Sequence, residues 1–274
     1  MSIVGTLAMH SFREILGTRV MYSVIAFAAV VMIFAILASQ WTIGEEVRFV
    51  SDIGIGAMLA LGIVIVITRG AVTLSREIER KTVLVVLARP IKRWQFVVGN
   101  FLGLALILLL LVASLFIVLS LILLPLGGMP GMSLLAAAWG VYLELLMVSA
   151  VAILTSNLSS PILAIILTLL VFMGGHMAST LFEWTSVGFD VHDSHLTPSM
   201  RRITEMYQTG PAHWFLRISY YLLPNMGHVN YKMYAANNLP IHTMRVLIGS
   251  VYSVVYSAIA VWLAVAVFSR RDMR

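Results

Sequence analysis

Residues 98–124, VGNFLGLALILLLLVASLFIVLSLILL, carry no charged side chain. As a helix this run extends about 40 Å, more than the roughly 30 Å of hydrocarbon in a bilayer. Five similar runs occupy 20–38, 53–69, 132–155, 161–178 and 246–268. Each is close to the ~20 residues needed for one crossing; the run at 98–124 is expected to tilt or to project into water at one end. One water-soluble core cannot bury six such helices. The chain is 60% hydrophobic with a mean hydropathy of +0.97, against about 45–50% apolar residues in soluble domains. The sequence therefore reads as an all-α polytopic membrane protein with six transmembrane helices.

Charge orients the spans. The segment 39–52 carries Glu45, Glu46 and Asp52 against Arg48 and is net acidic. The segment 69–97 carries Arg69, Arg76, Arg80, Lys81, Arg89, Lys92 and Arg93 against Glu77 and Glu79, a net charge of +5, and the tail SRRDMR is net +2. Positive segments stay on the cytoplasmic side, so both termini and residues 69–97 are expected there. The overall formal charge of +6 then follows from this bias, and no nucleic-acid partner is expected. Residues 1–19 do not read as a signal peptide. Val4, Leu7, Ala8, Phe12 and Ile15 fall on one helical face, the pattern of an interfacial helix lying on lipid before the six-helix domain of residues 20–274.

The segment 179–245 is then extracytoplasmic. It contains ten aromatic residues, a composition suited to the headgroup zone. A short amphipathic helix is expected from Thr197 to Gly210 and a second between Pro211 and Pro224. Asp190, His192, Asp193 and His195, with Met200 and Met206, are potential ligands of zinc or copper. Two histidines three apart are ordinary in a polar loop and no compact second pair follows, so no metal site is assigned. The absence of cysteine removes disulfides and thiolate chemistry.

The charged segment itself is built as a structured element. Ser75 can cap a helix running to about Ala88, with Glu77 and Glu79 in its first turn, where the helix dipole favours negative charge. Glu77 and Lys81 form an i,i+4 pair in the favoured order, worth about 0.3–0.5 kcal/mol. Arg89 precedes Pro90, which ends this helix and can open the next, carrying Trp94. The alternatives are a ridge held by anionic lipid and a docking surface for a cytoplasmic partner.

The stretch SREIERKTVLVVLARPIKRWQFVVGNFLG resembles the cytoplasmic segment of type-2 ATP-binding-cassette (ABC) transporter permeases. The match lies in Glu77, Glu79, Lys81, Thr82, Leu87, Pro90, Arg93, Gly99 and Phe101, with Asn100 where that family often has lysine. YYLLPN at 220–225 and the closing FSRRDMR are similar to a bacterial subgroup, as is the six-span layout with its amphipathic start. The resemblance implies a permease subunit in a bacterial cytoplasmic membrane. It would pair with a second permease copy, identical or not, and with a separate cytoplasmic ATPase that binds ATP and magnesium. It also implies that the charged helix from Ser75 to about Ala88 is a coupling helix, with Glu77, Glu79, Arg80, Lys81, Thr82, Arg89 and Pro90 at the ATPase. The chain has no G-x-x-x-x-G-K-[ST] sequence of its own, so it is expected to hold no nucleotide and to be no enzyme.

Three further features lie within the spans. Glu144 is the one ionisable residue deep inside a span, either a pathway residue or the partner of a neighbouring polar group. Gly99 and Gly103 form G-x-x-x-G, a spacing that lets helices approach closely. Gly174, Gly175 and His176 read as either a hinge or a packing notch. The alternatives to an ATP-driven exporter are an ion-gradient transporter or channel, which usually has several polar or broken spans, and a non-transporting membrane anchor. An intramembrane hydrolase lacks its motifs here: there is no H-E-x-x-H and no G-x-S-x-G.

Overall fold

The computed structural model describes residues 3–16, 19–39, 44–73, 92–128, 131–186, 223–237 and 239–270. Among the described residues all regular structure is helical and there is no strand. The helices are α1 (Ile3–Leu16), α2 (Arg19–Ser39), α3 (Glu46–Ile65), α4 (Arg93–Leu123), α5 (Met132–Leu158), α6 (Pro161–Ser186), α7 (Lys232–Ala236) and α8 (Thr243–Arg270). A π-helix, Val66–Thr73, continues α3.

Among the described residues four helical stretches are long and apolar enough to cross a membrane: Glu46–Val72, Arg93–Leu126, Met132–Leu158 and Thr243–Arg270. Shorter apolar stretches, Ala28–Ala38 and Pro161–Met177, lie in α2 and α6. This architecture is compatible with a multi-pass membrane protein. Large apolar side chains point outward, among them Phe34, Leu121, Ile162, Val251 and Trp262, each at least 60% exposed. Such a surface suits a lipid surround better than water.

Local signals explain the helix ends. The first turn of α3 contains Glu46, at the positive end of the helix dipole, and Glu45 lies 3.8 Å from Arg48. The helix therefore starts before the apolar run expected at 53–69 and takes in Arg48 and Asp52. At its far end Thr68 Oγ1 donates to the carbonyls of Val64 at 2.8 Å and Ile65 at 3.2 Å, where the backbone widens into the π-helix. The helix carrying Trp94 opens at Arg93 rather than at Pro90. Lys92 is extended (φ −72, ψ 142), and its N–H donates to Gln95 Oε1 at 3.0 Å, which supplies the start signal. With 31 residues, α4 measures about 46 Å, as its excess apolar length implies. It ends where Gly127 takes φ +77, a conformation other residues resist. Ser159 is extended and Pro161 opens α6.

Two compact units are present, residues 1–168 with 229–274 and residues 169–228. In the first, α5 is the centre: α3, α4, α7, α8 and the π-helix all pack on it. Close approaches occur at glycines. A Cβ on Gly54 would meet Leu119 Cδ1 at 2.5 Å, and one on Gly62 would meet Leu145 Cδ1 at 2.2 Å. In the second unit, Gly174 and Gly175 of α6 form a notch for residues 223–226. A Cβ on Gly174 would lie 2.8 Å from Leu223 Cδ1, and one on Gly175 would lie 2.5 Å from the Pro224 carbonyl. Asn225 Oδ1 accepts from the Gly227 N–H at 3.0 Å, which turns the chain as it leaves the notch.

Candidate functional site

The charged segment is attached to the bundle by two firm anchors. Glu77, Glu79, Arg80, Lys81, Thr82, Arg89 and Pro90 lie outside the described residues, as do the helix expected from Thr197 to Gly210, residues 211–222 of the one expected between Pro211 and Pro224, and the ligands of the DVHDSH stretch. On the N-terminal side the anchor is the π-helix. Val66 and Ala71 are fully buried, and a Cβ on Gly70 would lie 3.0 Å from Ala152 Cβ of α5 and 3.3 Å from Leu104 Cδ2 of α4. The π-helix is thus wedged between α4 and α5. The close approach depends on glycine.

The other anchor is the first three turns of α4, gripped from two sides. On one side lies α1. A Cβ on Gly99 would meet Leu7 Cβ at 2.7 Å, and one on Gly103 would meet Ser11 Cβ at 2.6 Å and the Ala8 carbonyl at 3.0 Å. Ser11 Oγ donates to Asn100 Oδ1 at 2.9 Å. Leu7 and Ala8, part of the oily face expected to rest on lipid, meet the G-x-x-x-G face of α4 instead. On the other side lies the end of α8. Arg93 Nη1 donates to the Ser269 carbonyl at 3.0 Å, and Phe96 stacks on Phe268 with ring centroids 5.9 Å apart and planes at 24°. A basic residue at a helix N-terminus opposes the dipole. Here Arg93 instead serves a carbonyl in the last turn of a neighbouring helix, where such groups lack intrahelical donors. A bond of this kind contributes about 1 kcal/mol.

Glu144 sits about midway along α5 with its side chain fully buried. Lys232 is the first residue of α7, which packs on α5. The hydroxyls farther along α5 are occupied within their own helix. Ser149 donates to the Leu146 carbonyl at 2.7 Å, Thr155 to Ala152 at 3.0 Å and Ser156 to Ile153 at 2.7 Å. Thr155 Oγ1 also lies 3.1 Å from Thr168 Oγ1 of α6, and Asn157 Nδ2 donates to the Ala264 carbonyl of α8 at 3.5 Å. The Thr155–Thr168 and Asn157–Ala264 contacts join α5 to α6 and to α8.

At the opposite end of α5 from Asn157, residues 229–236 cross the bundle as a strap. A Cβ on Gly140 would lie 2.2 Å from the Val229 carbonyl and 2.8 Å from Tyr231 Cδ2. Val229 and Tyr231 are almost fully buried. Tyr231 Oη donates to the Arg245 carbonyl at 3.2 Å. Burial pushes the Tyr231 phenol above its ordinary pKa, with the Arg245 charge pulling the other way, so it remains a donor at neutral pH. The Arg245 guanidinium also bonds Tyr234 Oη and lies 5.2 Å from that ring. Trp139 Nε1 donates to Ser250 Oγ at 3.0 Å, joining α5 to α8 at the same end.

The first unit therefore has two distinct ends. One gathers α1, the π-helix, the start of α4 and the end of α8. The other gathers Glu45, Glu46, Arg48, Leu126, Ala236 and Asn237 around one cleft. Among the described residues no three of His, Cys, Asp and Glu come together as a metal site. Gly140, Tyr231, Lys232 and the Arg93–Ser269 bond were not identified from the sequence. An arginine at the start of a long apolar helix is the one signal that points to any of them.

Comparison of the sequence with protein-family models and with curated proteins finds no match.

Proposed function

We propose that this chain is the six-span permease subunit of an ATP-driven ABC exporter in a bacterial cytoplasmic membrane, with both termini and residues 69–97 in the cytoplasm. The observation that supports this most directly is the difference in charge between the two ends. The basic segment 69–97 adjoins the end that holds α1, the start of α4 and the end of α8, whereas at the other end Glu45, Glu46 and Asp52 are balanced by Arg48, Lys232 and Arg245. That asymmetry is what the positive-inside bias selects. A second support is mechanical: both anchors of the charged segment are packed into the bundle, so a push on the segment is delivered to α3, α4 and α5.

In this reading a partner ATPase binds ATP and magnesium and seats the helix that runs from Ser75 to about Ala88 through Glu77, Glu79, Arg80 and Lys81. Thr82, Arg89 and Pro90 shape that helix and its end. A second permease copy completes the transporter. Isolation from native membranes, with identification of every bound protein, is expected to recover an ATPase of this type. Reversing Glu77 and Arg80 together should lower transport-linked ATP hydrolysis with folding intact; unchanged coupling would remove these residues from the interface. Glu144 favours a second reading, an ion-gradient transporter. Transport that persists without ATP and collapses with the proton or sodium gradient would favour it.

A further inference from the structure

The last helix runs from the strap at one end to the start of α4 at the other. Arg245 meets Tyr231 and Tyr234 of the strap, and 24 residues later Ser269 meets Arg93, a separation of about 36 Å along the helix. Between them α8 is tied to α5 at two heights, through Trp139–Ser250 and Asn157–Ala264. Phe268 is fully buried and Phe96 is 6% exposed, so the stack beside Arg93 is a packed joint. We propose that the Arg93–Ser269 bond and the Phe96–Phe268 stack form a clasp that makes α8 move with the start of α4, so that a displacement of the start of α4 reaches the strap at Val229–Ala236.

This inference rests on the coupling role proposed for the charged segment and adds the route by which the far end responds. Arg93, Phe96 and Phe268 are positioning residues for that step. The physical basis is geometric. A helix hydrogen-bonded along its length transmits displacement as a rod, whereas the chain between its ends need not. Arg93 is the first residue of α4, so the clasp sits at the end of α4 that adjoins the charged segment in sequence. The Ser269 carbonyl belongs to the last turn of α8, so the bond pulls on the rod's terminus.

The test uses the full chain purified together with its ATPase, and exploits the absence of native cysteine. Spin labels on Trp94→Cys and Ser269→Cys, both at exposed positions, measure the clasp. Maleimide labelling of Val229→Cys measures the strap. Trapping nucleotide with vanadate is expected to leave the 94–269 distance unchanged and to alter labelling at position 229 by about fivefold or more. In Arg93→Ala/Phe268→Ala the 94–269 distribution should broaden and the labelling ratio fall close to one. Arg93→Lys, which retains a donor for the carbonyl, should keep the parental ratio. Arg93→Ala alone keeps the measurement available if loss of the Phe268 ring unfolds α8. A 94–269 distance that changes with nucleotide, no response at position 229 in the parent, or a full response in both clasp variants overturns the inference and leaves the permease reading standing. A preparation that contains no ATPase overturns both.

Discussion

Gly140→Ala is the sharpest single perturbation of the strap. The added methyl would sit 2.2 Å from the Val229 carbonyl oxygen and 2.8 Å from Tyr231 Cδ2. An ordinary carbon–oxygen contact is more than 3 Å, so residues 229–231 must retreat by about 1 Å or α5 must bend. The first contact is with backbone, so side-chain rotation cannot relieve it. Overpacking of this kind costs about 1–3 kcal/mol, and retreat also stretches the Tyr231–Arg245 bond. If the cost falls on local opening of the strap, the open population rises by exp(ΔΔG/RT), about 5- to 150-fold. Val229→Cys supplies the assay because position 229 is fully buried and the chain has no other thiol. Its rate of reaction with a membrane-impermeant maleimide should rise by that factor when Gly140→Ala is added. Gly56→Ala is the control: nothing lies within 4 Å of its Cβ position, and it should leave the rate unchanged. A thiol at position 229 that stays protected in Gly140→Ala, with an unaltered melting temperature, would refute the packing argument.

Other outcomes follow from the same contacts. Gly56→Ala should be neutral or stabilise α3 by up to about 1 kcal/mol through helix propensity, read as thermal midpoint in detergent. Gly103→Ala places a methyl 2.6 Å from Ser11 Cβ and 3.0 Å from the Ala8 carbonyl, so it should loosen α1; a thiol introduced at the buried Ala8 should then react faster with maleimide. Glu144→Gln keeps the shape of a fully buried side chain while removing the cost of a carboxylate, about 2.5–3.5 kcal/mol for an acidic residue at a span centre. Its expression and thermal midpoint should equal or exceed the parent's, whereas Glu144→Lys should accumulate poorly.

Much of the helical layout was legible because hydropathy acts on each segment separately. The runs at 132–155 and 246–268 lie within α5 and α8, and the runs at 53–69 and 98–124 lie within the helical stretches Glu46–Val72 and Arg93–Leu126. Helix ends were read less well, because they depend on short-range bonds that compete with composition. Pro90 is the conspicuous breaker, but the Lys92 N–H bond to Gln95 starts α4 at Arg93. The acidic residues of 39–52 read as loop, yet the dipole draws Glu46 into the first turn of α3.

Partners were the hardest to read, because a glycine announces a close approach without naming what approaches. Gly99 and Gly103 gave the spacing, but only the fold identifies α1 as the helix that fills it. Gly140, alone in an apolar run, gave no spacing, and it carries the closest backbone approach among the described glycines, with Val229. The same limit applies to Arg93. Its positive charge was counted toward the side of the membrane, a property of the whole segment. Its bond to Ser269 joins positions 176 residues apart, and no local pattern encodes that. The two roles are compatible, since a residue that must remain on the charged side is well placed to join the start of one span to the end of another.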